Sequence, residues 1–253
     1  MHQHEPLYRR WMPADEPTIL ATSGGIGAGL RTRFEFTALT DFAVELSGVE
    51  GRAPRVCFLA TAMGDDRATL HHLTEAAQGR GFAPSHIALF PMPTVADTTA
   101  HLLEQDVVWV FGGSVANLLA LWRVHELDTA LRAAWQAGVV LTGISAGSIC
   151  WHSGGLTDSF GPTLEPIGNG LRFLPYANGV HYDTEAQRRP MLHKVVGNGT
   201  LPAGYATDDG AGLLYRGATL VEAVAEKDCA GAYFVSARDG GVLETALDVR
   251  RLR

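Results

Sequence analysis

Long apolar runs are missing from this chain. No stretch approaches the length needed to span a membrane, and Met1 to Pro17 is polar and charged rather than a secretory leader. Cysteine is scarce. Cys57, Cys150 and Cys229 are too few and too dispersed for a disulfide framework or a zinc site, and two of them fall in apolar patterns that imply buried free thiols. Positive charge is in deficit, with a net charge of −7 and no Lys/Arg cluster, which argues against non-specific nucleic-acid binding. The terminal Arg250-Arg251-Leu252-Arg253 reads as a solvated tail. Internal repeats and low-complexity segments are also lacking, so repeat architectures are set aside. These absences lead to the expectation of a cytoplasmic protein with neither a membrane nor a nucleic-acid partner.

What is present is a composition suited to one sizeable core: 253 residues, 46% apolar and 19% charged. One α/β domain over residues 1–253 is expected, with residues 1–16 as a flexible N-terminal segment. Thr18–Thr22, Arg55–Ala60, His86–Phe90, Val107–Phe111 and Val139–Gly143 read as strands. Between them, Phe36–Leu46, Asp66–Gln78, Val95–Glu104, Val115–Arg123 and Leu127–Gln136 read as helices, with Asp65 and Thr94 as N-caps and Gly79 and Gly138 as stops. Strict alternation of this kind predicts a mostly parallel sheet covered by helices on both faces, a three-layer α/β/α sandwich. Such sheets bind ligands at the carboxyl ends of their strands, which puts Gly112-Gly113 and Ser145 on one functional edge. Beyond about residue 200, the runs Ala211–Tyr215, Ala232–Ser236 and Leu243–Leu247 predict a β-rich closing section of the same domain.

The densest signal is Val139-Val140-Leu141-Thr142-Gly143-Ile144-Ser145-Ala146-Gly147. An apolar β-branched run enters Gly-x-Ser-x-Gly and a helix-compatible segment follows, the pattern of a nucleophile elbow with Ser145 exposed on a strained turn. A serine that merely caps a helix is the plainer alternative. By contrast, Ser23-Gly24-Gly25-Ile26-Gly27-Ala28-Gly29 does not have dinucleotide-loop spacing and reads as a flexible loop on the functional edge.

A serine hydroxyl needs a base, and the base needs a carboxylate to hold its tautomer. Of the ten histidines, His181 and His193 lie suitably downstream of the elbow. His181 ends the run Phe173–Val180 and should emerge at a strand terminus, whereas His193 falls within the next helical pattern. For the acid, Asp158 ranks first by its place between elbow and histidine and Glu165 second, with Asp183 and Asp209 as competitors. An order Ser–acid–His within the 36 residues from 145 to 181 does not fit an ordinary α/β-hydrolase.

Together, the Gly-Gly after Val107–Phe111, the Gly-Ile-Ser-Ala-Gly elbow and Gly-Val-His-Tyr-Asp at Gly179–Asp183 resemble the peptidase E and cyanophycinase family of serine peptidases. The resemblance implies the class I glutamine amidotransferase-like sandwich, Ser145 as nucleophile, His181 as base and Asp158 as acid. It places the oxyanion-hole donors at Gly113 and Ala146, and substrate contacts at Gly112, Ser114 and Glu185. It implies no metal or organic cofactor, a short peptide as substrate, dipeptidase-like action and a possible homodimer. Two departures stand out. Ser114-Val115 replaces the family's Asn-Thr, and Glu185 falls where aspartate-specific members carry arginine, so a broader or different N-terminal preference is expected. A cyanophycinase-like or esterase activity on the same residues, or a non-catalytic binding protein of the same fold, are the alternatives.

Overall fold

The computed structural model describes residue 14 and residues 16–253; apart from Ala14 and Glu16, the expected flexible segment 1–16 lies outside the described residues. In chain order the strands are β1 (Thr18–Thr22), β2 (Ile26–Gly27), β3 (Glu35–Phe36), β4 (Arg55–Leu59), β5 (Ala83–His86), β6 (Val107–Val110), β7 (Val140–Ile144), β8 (Gly154–Thr157), β9 (Glu165–Ile167), β10 (Ala177–Gly179), β11 (Gly204–Thr207), β12 (Ala211–Arg216), β13 (Thr219–Ala225), β14 (Ala232–Arg238), β15 (Gly241–Ala246) and β16 (Val249–Arg251). The helices are α1 (Ala38–Leu46), α2 (Arg67–Gly79), α3 (Thr98–Leu103), α4 (Val115–Val124), α5 (Leu127–Gln136), α6 (Ala146–Ile149) and α7 (Arg188–Gly197). None of the described helices is long and apolar enough to cross a membrane.

The larger sheet has the order β16-β13-β12-β1-β7-β6-β4-β5, and its run from β1 to β5 is parallel throughout. Strands covered on both faces need apolar residues at successive positions, and β1, β6 and most of β4 and β7 are buried without alternation. The two faces nonetheless sort cleanly. Cys57, Leu59, Val108, Val110 and Leu141 pack with Leu118, Leu119, Leu131 and Ala134 of α4 and α5. Val56, Phe58, Val107, Trp109 and Val140 pack with Leu73, Ala76 and Ala77 of α2. Leu20 on that second face packs with Leu39 and Ala43 of α1. This is the three-layer α/β arrangement with a large, mostly parallel sheet that the alternation predicts.

The closing section does more than finish that sheet. β12 and β13 extend it antiparallel beyond β1, while β11, β14 and β15 join β10, β8 and β9 in a second sheet of order β15-β14-β11-β10-β8-β9. The sequence reading contains no second sheet, because β8 and β10 are short, glycine-containing segments, Gly-Gly-Leu-Thr and Ala-Asn-Gly, without a β-branched run.

Several boundaries are corrected. The strand expected at His86–Phe90 lies instead at Ala83–His86. Pro84 within it disguises the strand, but β5 is the sheet's outermost strand, where a missing N–H is tolerated. Asp66, not Asp65, caps α2, its carboxylate accepting from the Thr69 N–H at 2.8 Å. Asp65 sits at φ 53° and accepts from the Leu89 N–H. Asp97, not Thr94, caps α3, since the Thr94 hydroxyl accepts from the Ala88 N–H. Helix α2 runs through Gly79, and the left-handed turn falls at Gly81. Cys57 and Cys150 are buried and Cys229 is exposed. Burial pushes the Cys57 thiol up to about 12, so it stays protonated.

Candidate active site

The strand–turn–helix at Ser145 is present. β7 ends at Ile144, Ser145 sits at φ 58° and ψ −113°, and α6 begins at Ala146. A left-handed φ is costly for a serine and persists only where the surroundings fix it. Three hydrogen bonds do so here. The Ser145 N–H donates to the Thr22 carbonyl at 3.2 Å, and the Ser148 and Ile149 N–H groups both donate to the Ser145 carbonyl at 2.9 Å. The turn is also pressed against β6: a Cβ on Gly147 would lie 2.3 Å from the Val110 carbonyl oxygen, so no larger residue fits there. Helix α6 is only four residues long, shorter than the sequence implies, and the chain beyond it dives inward. His152 is fully buried there, its Nδ1–H donating to the Ser148 carbonyl at 2.9 Å, and burial lowers its pKa to about 4.

The Gly-Gly turn after β6 faces the serine. A Cβ on Gly112 would stand 3.2 Å from Ser145 Cβ and 3.8 Å from its Oγ. Gly113 adopts φ 130°, and a Cβ there would lie 2.4 Å from the Ala62 carbonyl oxygen, so both conformation and space demand glycine. Neither the Gly113 N–H nor the Ala146 N–H has an acceptor among the described residues, leaving two donors beside Ser145. Ser114 serves the scaffold: its N–H donates to the Ala62 carbonyl and its Oγ accepts from the Asn117 N–H, capping α4.

His181 lies two residues past the end of β10, also in a left-handed conformation at φ 53°. Its Nδ1 is 2.5 Å from Asp209 Oδ1. The other carboxylate oxygen, Oδ2, accepts from the Thr184 hydroxyl at 3.1 Å, and the Asp209 N–H donates to Asp183 Oδ1 at 2.8 Å. Neither the Ser145 hydroxyl nor His181 Nε2 has a hydrogen-bond partner among the described residues.

The expected acids are therefore corrected. Asp158 is exposed in the turn after β8, and Glu165 is exposed on β9 across from Thr157; neither bonds His181. The reason is sheet register. β10 pairs in parallel with β11 as Ala177↔Gly204 through Gly179↔Ala206, so the residues just past both strands come together at one edge. The signal in the sequence was the Asp208-Asp209-Gly210 turn ahead of the Ala211–Tyr215 run, the same strand-exit position that singled out His181.

Glu185 lies one turn beyond His181, half-exposed and paired with Arg188 at 2.8 Å. Arg188 is itself buried and donates to the Leu156 carbonyl at 2.7 Å. Arg189 pairs with Glu244 and lies over the rings of Tyr182 and Tyr233 at 4.4 and 4.5 Å. His193, on α7, bonds Glu244 at 2.8 Å and so belongs to that cluster rather than to Ser145. Met63 and Phe160 are exposed apolar side chains. Met63 touches the Gly113 position, and Phe160 follows Ser159, whose Oγ accepts from the Ala116 N–H.

Comparison with known proteins gives this geometry a lineage. The model of peptidase family S51 matches residues 19–223, which include the elbow, His181 and Asp209. The uncharacterized peptidase YgaJ of Bacillus subtilis (strain 168) is 42% identical over 236 residues, covering 92% of this chain and 98% of its own. Among solved structures, a peptidase from an acI-B1 Actinobacterium superposes with a TM-score of 0.62 at 14% identity, covering 94% of this chain and 96% of that one. A protein assigned to peptidase E from Listeria monocytogenes EGD-e superposes with a TM-score of 0.55 at 15% identity, covering 91% and 98%. At such identities the superpositions speak for the fold alone, while the family match and the Bacillus relative carry the chemistry: this chain belongs to peptidase family S51, the peptidase E family, and is a serine-type peptidase.

Proposed function

We propose that the protein hydrolyses short peptides, in the manner of a dipeptidase, through an acyl-enzyme on Ser145 with His181 as general base and Asp209 as the acid that orients it. The observation that carries this reading is the 2.5 Å contact between His181 Nδ1 and Asp209, with the backbones of His181 and of Ser145, at its left-handed φ, bonded to the adjacent residues Ser23 and Thr22. With Nδ1–H donated to the carboxylate, Nε2 is left as the basic nitrogen. It takes the Ser145 proton as Oγ attacks the scissile carbonyl, then delivers it to the leaving amine. Water repeats the sequence on the acyl-enzyme. The Gly113 and Ala146 N–H groups stabilise the oxyanion, and loss of one such donor costs on the order of 3 kcal/mol of transition-state stabilisation.

Specificity for an N-terminal aspartate is not expected. Glu185 repels a carboxylate, Arg188 is buried between Leu156 and Glu185, and Arg189 is paired with Glu244. Met63, 47% exposed and in contact with the Gly113 position, favours peptides with neutral or apolar side chains.

The test is hydrolysis of a dipeptide library by wild type and Ser145→Ala, with products resolved by mass. The expected result is cleavage of neutral and apolar members, abolished in the variant. Turnover confined to Asp-X dipeptides refutes the specificity. A well-folded wild type that cleaves no member moves ester or β-linked Asp–Arg polymer hydrolysis ahead of it.

A further inference from the structure

The glycine-rich stretch after β1 lacks dinucleotide-loop spacing, yet its first residue stands where the parts of the site converge. Thr22 is the last residue of β1, paired with Ile144 of β7, and its carbonyl accepts from the Ser145 N–H. Ser23 follows. Its Oγ is 3.3 Å from the His181 N–H, which donates to it, and 2.7 Å from the Thr207 hydroxyl. Its carbonyl accepts from the Gly210 N–H at 2.8 Å, and its own N–H donates to the Ala211 carbonyl at 2.9 Å. Thr207 and Gly210 bracket Asp209. One serine thus holds the backbone of the base and both flanks of the acid, while its neighbour holds the nucleophile.

Both Ser23 and Thr207 are buried, at 3% and 0% exposure, so water does not replace a lost partner there. The His181 backbone is in a left-handed region that a non-glycine residue occupies only under constraint, and the Ser23 hydroxyl is the acceptor of its N–H.

We propose that Ser23 is a positioning residue for peptide hydrolysis: through its hydroxyl it fixes the His181 backbone against the Asp209 segment and so sets the His181–Asp209 contact. This rests on the reading of Ser145, His181 and Asp209 as the catalytic residues.

The experiment compares Ser23→Ala, Thr207→Val and Thr207→Ser with wild type. If Ser23 positions the base, Ser23→Ala lowers kcat at least tenfold with KM within twofold. The acidic limb of kcat/KM is displaced from its wild-type position. The downfield proton resonance of His181 Nδ1–H moves upfield or vanishes. Thr207→Val gives the same pattern and Thr207→Ser does not, and this pair decides the matter should Ser23→Ala fail to fold. An unchanged pH limb and proton resonance in a folded Ser23→Ala or Thr207→Val protein overturn the proposal, even where kcat falls. Phosphonofluoridate labelling of wild type separates the two readings. Absence of label on Ser145 refutes the catalytic assignment, whereas the resonance still reports whether Ser23 holds His181 to Asp209.

Discussion

At the scale of single residues, the acid is where sequence and structure part. Ser145 announces itself through the small residues its turn requires, and His181 through the apolar run it terminates. A carboxylate carries no such local signature. Asp209 becomes the partner of His181 only because β10 and β11 lie side by side, a pairing between short segments with little pattern to betray it. Asp209→Asn should reduce kcat by about 10³–10⁴ by allowing the wrong imidazole tautomer. Asp158→Asn, at an exposed turn, should stay within threefold of wild type, and steady-state kinetics on one cleaved dipeptide checks both. His152 offers a second residue-scale expectation. Buried and neutral, with its pKa lowered from 6.5 to about 4, it resists protonation in the folded protein but not in the unfolded chain. Its contribution is therefore intact above pH 6.5 and is lost as the pH falls from there toward 4, by up to about 3 kcal/mol. His152→Gln should flatten the dependence of Tm on pH across that window. An unchanged slope in calorimetric scans of the variant sinks the assignment.

At the scale of elements, boundaries follow neighbours as much as propensities. The N-terminus of α1 shows this. Thr37 is its N-cap but provides no side-chain cap. Instead Glu226, at the end of β13 in the folded chain's last quarter, accepts from the Leu39 N–H at 3.0 Å, the Thr37 hydroxyl at 2.6 Å and the Gly25 N–H at 3.1 Å. A carboxylate there meets the positive end of the helix and pins the Ser23–Gly25 loop at the same time. No inspection of residues near Thr37 reveals a cap that distant. The elbow is the opposite case, wholly legible locally because Gly143 and Gly147 flank the serine at fixed spacing. Gly147→Ala should destabilise the protein by about 1–3 kcal/mol through the contact with Val110 and displace Ser145 as well. Urea denaturation measures the first effect, and the rate of acylation by an activated ester measures the second. Wild-type values for both would show that β6 and α6 separate more easily than their packing implies.

At the scale of the whole molecule, two sheets share one core. Val180 and Ala232, from the second sheet's side, pack in the same apolar cluster as Ile19, Val110 and Leu141 of the larger sheet. Unfolding should accordingly be a single transition in which calorimetric and van't Hoff enthalpies agree. Two resolved transitions would mean that the sheets melt as separate units. The larger sheet was readable from the alternation of strands and helices. The second was not, since its strands β8, β9 and β10 are only three or four residues long and follow no repeating unit.

That division between sheets has a bearing on when the protein acquires its activity. Ser145 is borne by the larger sheet, His181 and Asp209 by the smaller, and β1 is flanked on one side by β7 and on the other by β12, which lies beyond Asp209 in sequence. A nascent chain that has emerged as far as His181 holds Ser145 and His181 but not Asp209, the partner of the histidine, and β1 still lacks one of its neighbours. On the proposed assignment of Ser145, His181 and Asp209, proteolytic competence waits until the chain has passed β11, so a peptidase halted before that point is a latent one.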